Sequence, residues 1–235
     1  MSNKVVRVGV LNNFNCTDKE YSQLQRFEKE HPDCYFFVNS NIDTPNLRNI
    51  NNYHYKAVIT ANPNITDYSF FKLGQVNKSK LAFVRVKYVP NNPYIVNLIK
   101  LIASCDIPVV VTLQRFNSKR TVLSYGINNY IFDRSRYRLN EKARKSIERI
   151  ADNTKKVYIC DRSGNGCTKC NLCATLTLGE VKPIYSLNMS SSGICKFNCI
   201  DCFAKTMQRF VVRCGHNPIE YNVIKKNRKQ REKKS

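Results

Sequence analysis

The chain has 235 residues, enough to bury a sizeable core in one large domain, or in one domain with a small appendage. Its 39 Lys and Arg against 17 Asp and Glu leave a net charge of +22, which attracts polyanions such as nucleic acid or another acidic macromolecule. The longest apolar stretch, Tyr94 to Val111, is broken by Asn97, Lys100, Asp106 and Pro108, and the opening run Val5 to Leu11 contains Arg7, so neither a bilayer span nor a secretory leader is expected.

The first half alternates strand and helix. Val5 to Leu11 is β-branched and apolar, and Thr17 followed by Glu20 makes a capping box that opens a helix with Tyr21, Leu24 and Phe27 on one face. His31-Pro32 must stop that helix. Tyr35 to Val38, Lys56 to Thr60, Leu81 to Tyr88 and Pro108 to Leu113 are short apolar runs of the kind buried in parallel sheets. Pro93 sits at the first turn of a helix carrying Ile95, Leu98, Ile99 and Ile102. Asn140 caps another, which turns Ala143, Ile147 and Ile150 inward and runs to Ala151. Lys156 to Cys160 reads as one more strand, and Asp161 to Gly166 as a turn. The fold class that follows is α/β, a parallel sheet or partial barrel of βα units followed by a cysteine-rich metal-binding region. The expected organisation is an α/β domain over 1–156, the cysteine-rich region over 157–216 and a basic tail over 217–235.

Eleven cysteines in a chain expected in the cytoplasm, a reducing compartment, are poor disulfide partners and good metal ligands where they cluster. Cys16, Cys34 and Cys105 stand apart in the first half and read as small buried hydrophobes. The other eight fall between Cys160 and Cys214. Cys167, Cys170 and Cys173 form Cys-Thr-Lys-Cys-Asn-Leu-Cys, in which two intervening residues let a tight turn aim successive sulfurs at one ion. The run lacks the closing Cys-Pro of bacterial ferredoxin loops, Ala174 following Cys173, so Cys160 is the candidate fourth ligand. The second group is Cys195, Cys199 and Cys202, spaced Cys-x3-Cys-x2-Cys. Closure by Cys214 or His216 would make it a structural site, and three thiolates alone would keep one coordination position open for chemistry.

The Cys195, Cys199, Cys202 spacing resembles that of the radical SAM superfamily. Ile184 to Cys195 and Cys202-Phe-Ala-Lys resemble the cysteine motif of radical-SAM-like proteins carried by phages, which also have a segment similar to Tyr158 to Cys173. The likeness covers Tyr158 to Lys205 and implies a host-cytoplasmic protein. It implies that Cys195, Cys199 and Cys202 bind a [4Fe-4S] cluster whose fourth iron holds S-adenosylmethionine, cleaved by one electron to a 5′-deoxyadenosyl radical. The first group would then hold an auxiliary cluster or zinc. The motif stands near the end of the chain and Asp201 replaces a common aromatic. The resemblance therefore implies either a circularly permuted barrel, with Val5 to Leu11 as the next strand after the motif and Arg85 or Gln114 as cofactor contacts, or a metal-bound scaffold without catalysis.

The basic residues carry an alternative. Arg134, Arg136 and Arg138, interleaved with Tyr137, and the tail with Lys225, Lys226 and Arg228, have the charge and aromatic content to follow a phosphate backbone. Arg115, Lys119 and Arg120 belong with them. A non-enzymatic zinc protein binding nucleic acid or a host partner would show this combination. No Walker loop, GxSxG elbow or HExxH pair offers another chemistry.

Overall fold

The computed structural model describes residues 4–9, 14–133, 135–160, 172–179 and 184–187. The opening apolar run forms β1 (Lys4–Val8), and Gly9 ends it at φ 81°, a left-handed conformation that costs glycine little. Helix α1 (Asp18–Glu30) starts on the expected capping box, with the Glu20 amide donating to the Thr17 hydroxyl and the Glu20 carboxylate accepting from the Thr17 amide. The chain continues through β2 (Cys34–Asn41), β3 (Lys56–Ala61), α2 (Asp67–Gly74), β4 (Leu81–Tyr88) and α3 (Pro93–Ser104) to β5 (Val109–Leu113). Next come α4 (Lys119–Leu123), an antiparallel hairpin of β6 (Tyr130–Asp133) and β7 (Arg136–Leu139), and α5 (Glu141–Asp152), whose Asn140 cap accepts from the Ala143 amide. Three further elements are β8 (Val157–Ile159), α6 (Leu172–Leu178) and β9 (Ile184–Leu187).

Seven strands form one parallel sheet in the order β8-β5-β4-β3-β2-β1-β9. This is the α/β class expected from the strand and helix alternation. From β1 to β8 the spatial order follows the chain order, and right-handed crossovers in such a sheet put every connecting helix on the same side. The buried residues bear this out. Leu24 and Phe27 of α1, Ile95, Leu98 and Ile99 of α3, and Ile147 of α5 join one core with Val6, Val38, Ile59, Val84 and Val111 of the strands.

The alternate residues, Val5, Phe37, Val58, Phe83 and Val110, form a second apolar patch on the opposite face, and α6 packs there through Leu172, Cys173 and Leu176. Both faces of the sheet are thus covered by apolar contacts, which is why its strands read as continuous apolar runs. Two strands, β8 and β9, come from the 157–216 segment, so the sheet extends into the cysteine-rich region.

At the amino end of the sheet, α1 is tied to the start of β3. His54 contacts Glu28 at 2.9 Å, the Tyr55 hydroxyl donates to the same carboxylate at 2.8 Å, and Tyr21 stacks on Tyr53 at 4.1 Å.

Candidate functional site

In a parallel α/β sheet, ligands bind beyond the carboxyl ends of the strands, where loops can vary without disturbing the ladder. On the second face of this sheet the side chains change character along the strands. The amino half is the apolar patch. Toward the carboxyl end, the same alternation presents Arg7, Asn39, Thr60, Arg85, Lys87 and Thr112.

These polar residues are joined by hydrogen bonds. Arg85 donates through Nη1 to Asn39 Oδ1 at 2.9 Å and through Nη2 to Cys173 Sγ at 3.5 Å. Its guanidinium also lies 5.6 Å from the centre of the Phe83 ring, within cation–π range. Asn39, itself buried, donates to the Gly9 carbonyl at 3.1 Å, and Thr60 donates to Asn39 Oδ1 at 3.4 Å. The network therefore spans β1 to β4 and ends on a cysteine of α6. Lys87, two positions beyond Arg85, is partly buried; desolvation first, and then the Arg85 charge, hold its ammonium below the ordinary lysine range. Thr112, its register partner on β5, has a buried hydroxyl with no hydrogen-bond partner among the described residues.

Of the first cysteine group, Cys160 and Cys173 fall within the described residues. Cys160 follows β8 directly, its amide donating to the Val111 carbonyl at 2.7 Å, and its side chain packs at the margin of the second-face patch. Cys173 is buried in that same patch. Two cysteines of that group, separated by twelve positions of chain, thus border one patch, and their soft sulfur donors suit zinc or iron. Cys167 and Cys170 lie outside the described residues, as do Cys195, Cys199, Cys202, Cys214 and His216. Among the described residues no group of three or more His, Cys, Asp and Glu side chains is gathered at metal-binding distance. The segment Asp161 to Gly166 and the element carrying Phe203 to Val212 also lie outside them.

The cysteines of the first half divide. Cys16 is buried, its thiol 3.6 Å from both the Phe14 carbonyl and the Ser40 hydroxyl, and burial pushes that thiol up to about 12, which leaves it inert. Cys34 is partly buried. Cys105, expected inside, is exposed: it is the C-cap of α3, where the helix has left the core. Gln114 does not join the polar network, because its side-chain amide donates to the Arg115 carbonyl at 3.0 Å.

The basic candidates are scattered. Arg136 is exposed on β7, whereas Arg138 is paired with Asp133 at 2.9 Å, which lowers its value as a phosphate contact. Tyr137 packs against the core and lies 5.0 Å from Phe132, so its ring is partly engaged. Arg115, Lys119 and Arg120 are exposed. Arg134, Lys225, Lys226 and Arg228 lie outside the described residues. Among those residues no helix is long and apolar enough to cross a membrane.

Asn39, Thr60, Lys87 and Thr112 were hidden within strands read for their apolar content. Their signal is a polar residue at every second position near each strand's carboxyl end, clearest in Val84-Arg85-Val86-Lys87. Fold and site together define an α/β protein with a parallel sheet wound in one direction, whose second face is apolar at one end and basic at the other. Comparison with protein-family models, with curated proteins and with solved structures gives no match, so the reading below rests on the chain's own residues.

Proposed function

We propose that this chain is a metal-cluster protein of radical-SAM-like architecture in circularly permuted order. In this reading Cys195, Cys199 and Cys202 hold a [4Fe-4S] cluster, and Cys160, Cys167, Cys170 and Cys173 hold a second metal, a cluster or zinc. The observation that carries the reading is the parallel pairing of β9 with β1, with Val5 opposite Ile184 and Val8 opposite Leu187. The strand that leads into the cysteine motif therefore lies beside the first strand of the chain and points its end toward the same carboxyl edge. From Leu187 to Cys195 the chain can reach at most about 28 Å, so the reading requires the motif to lie within that distance of the end of β9. A permuted barrel requires this adjacency, because the strand before the motif and the strand after it must be neighbours. The second support is Cys173, which lies under the Arg85 guanidinium on the face where such a site would open.

Cys195, Cys199 and Cys202 would hold the cluster, whose chemistry would be one-electron reduction of S-adenosylmethionine. The chain's own part is to present thiolates, to exclude water with the Phe37, Phe83 and Val110 patch, and to orient a ligand with the Asn39, Thr60 and Arg85 network. The deciding experiment is anaerobic purification of the full chain with iron, sulfide and zinc analysis and a visible spectrum. The expected protein is brown, with broad visible absorption that Cys195→Ala diminishes and that S-adenosylmethionine perturbs. A colourless protein with stoichiometric zinc would overturn the proposal and leave the non-enzymatic binding protein in its place.

A further inference from the structure

The second face carries charge that the described residues do not balance. Arg85 and Lys87 stand two positions apart on the same side of β4, both partly buried, and neither forms an ion pair with a carboxylate among the described residues. No strand of the sheet has an acidic residue on this face: β1, β2, β3, β4, β5 and β8 contain no Asp or Glu at all. Partly buried like charges side by side are unfavourable unless something of opposite sign joins them. Beside Lys87, in register on β5, the buried Thr112 hydroxyl also has no partner among the described residues. Unsatisfied buried polar atoms are rare enough in folded proteins that one standing beside two cations points to a missing partner.

We propose that the carboxyl half of this face binds a phosphoryl dianion, with Arg85 and Lys87 supplying the two charges and Thr112 a hydroxyl donor. The choice of a dianion follows from the two neighbouring cations of β4, since Arg7, on the same face, already has an interaction of its own. A carboxylate would neutralise one and leave the other buried without a counter-ion, whereas a phosphate monoester matches both and offers oxygens to a guanidinium, an ammonium and a hydroxyl together. Arg85 is already oriented by Asn39, which is itself fixed by the Gly9 carbonyl, so its guanidinium does not need to be ordered on binding. The neighbouring Phe37, Phe83 and Val110 patch is already covered by α6, so only the polar carboxyl half of the face is offered to the anion. The ligand class is thus a phosphate monoester or free phosphate, recognised through its dianionic phosphoryl group. The inference shares a face with the proposed metal site but does not depend on which metal the cysteines hold.

The test is calorimetric titration of the full chain, as purified, with inorganic phosphate, sulfate and acetate, beside the variants Lys87→Met, Thr112→Val and, as a surface control, Lys142→Met. The expected result is saturable binding of phosphate and of sulfate, weak or absent binding of acetate, a loss of at least about tenfold in Lys87→Met, a smaller loss in Thr112→Val and none in Lys142→Met. Thermal melts of each variant show that the fold is kept. Equal binding of acetate and phosphate would overturn the dianion assignment. Phosphate binding unchanged in both Lys87→Met and Thr112→Val, or lost equally in Lys142→Met, would overturn the site. Metal content measured on the same samples keeps this outcome separate from that of the metal reading.

Discussion

Replacing Lys87 by methionine should make the protein more stable. The two side chains are similar in length and flexibility, so the change removes a charge while keeping the stem that packs against the sheet. Arg85 and Lys87 lie about 6.6 Å apart along β4, and two like charges at that spacing repel by about 2.5 kcal/mol at an effective dielectric of about 20. Partial exposure and salt reduce this to about 1 kcal/mol, equivalent to a rise in Tm of about 2 to 4 °C. The pH dependence has a definite sign. Burial and Arg85 hold the folded-state value below the ordinary 10.5, so the penalty for the ammonium is fully present below that lowered value and fades as pH rises toward the unfolded one. The gain of Lys87→Met over the parent should therefore be constant near neutral pH and shrink in strongly alkaline buffer. Melts followed by circular dichroism in low salt, without phosphate or sulfate, measure it. A Tm lowered by the substitution would mean that the ammonium has a counter-ion within the chain, and would refute both the repulsion argument and the anion site built on it.

Four further outcomes are expected. On the proposed metal reading, Cys173→Ala should lower the metal content of the purified protein without abolishing the visible absorption expected of a cluster at the second cysteine group; unchanged metal content would remove Cys173 from the ligand set. Ile99→Ala, at a fully buried position in the α3 interface, should cost about 2 to 5 kcal/mol in urea denaturation. Gly126→Ala should destabilise by about 1 to 3 kcal/mol, because the residue sits at φ 82° and a Cβ there would collide with the Asn91 side-chain amide. If the chain binds nucleic acid, truncation after Tyr221 should flatten the salt dependence of affinity in filter binding, since the removed tail carries seven basic residues against one acid over 225–235.

Much of the sheet can be read from the sequence because its strands are covered on both faces and so appear as uninterrupted apolar runs, as in Leu81 to Tyr88, whose bounds match β4. The capped helices are equally legible, Thr17 and Asn140 each making the side-chain bond that their residue type predicts. Helix α6 and strand β9 were not foreseen. The cysteines at 167, 170 and 173 invite a loop reading, yet Leu172, Leu176 and Leu178 supply an apolar stripe that finds its partner only when the second face of the sheet exists. Strand β9 is four residues long and takes its meaning from pairing with β1, more than 170 positions earlier, which no local pattern announces. The hairpin β6–β7 escaped for a different reason: its residues read as a basic patch, while Tyr130 and Leu139 turn into the core.

The pairing of β1 with β9 also bears on synthesis. A ribosome making this chain releases β1 first, and β2 joins it along one side almost at once, but the other side must wait until residue 187 has left the exit tunnel. For most of translation the nascent sheet therefore presents an open row of backbone donors and acceptors, an invitation to mispairing with neighbouring chains. Strand β9, the latest in the chain among the described strands, covers the β1 side of that row, so this edge is paired only late in synthesis, when the segment that continues toward Cys195 is also emerging.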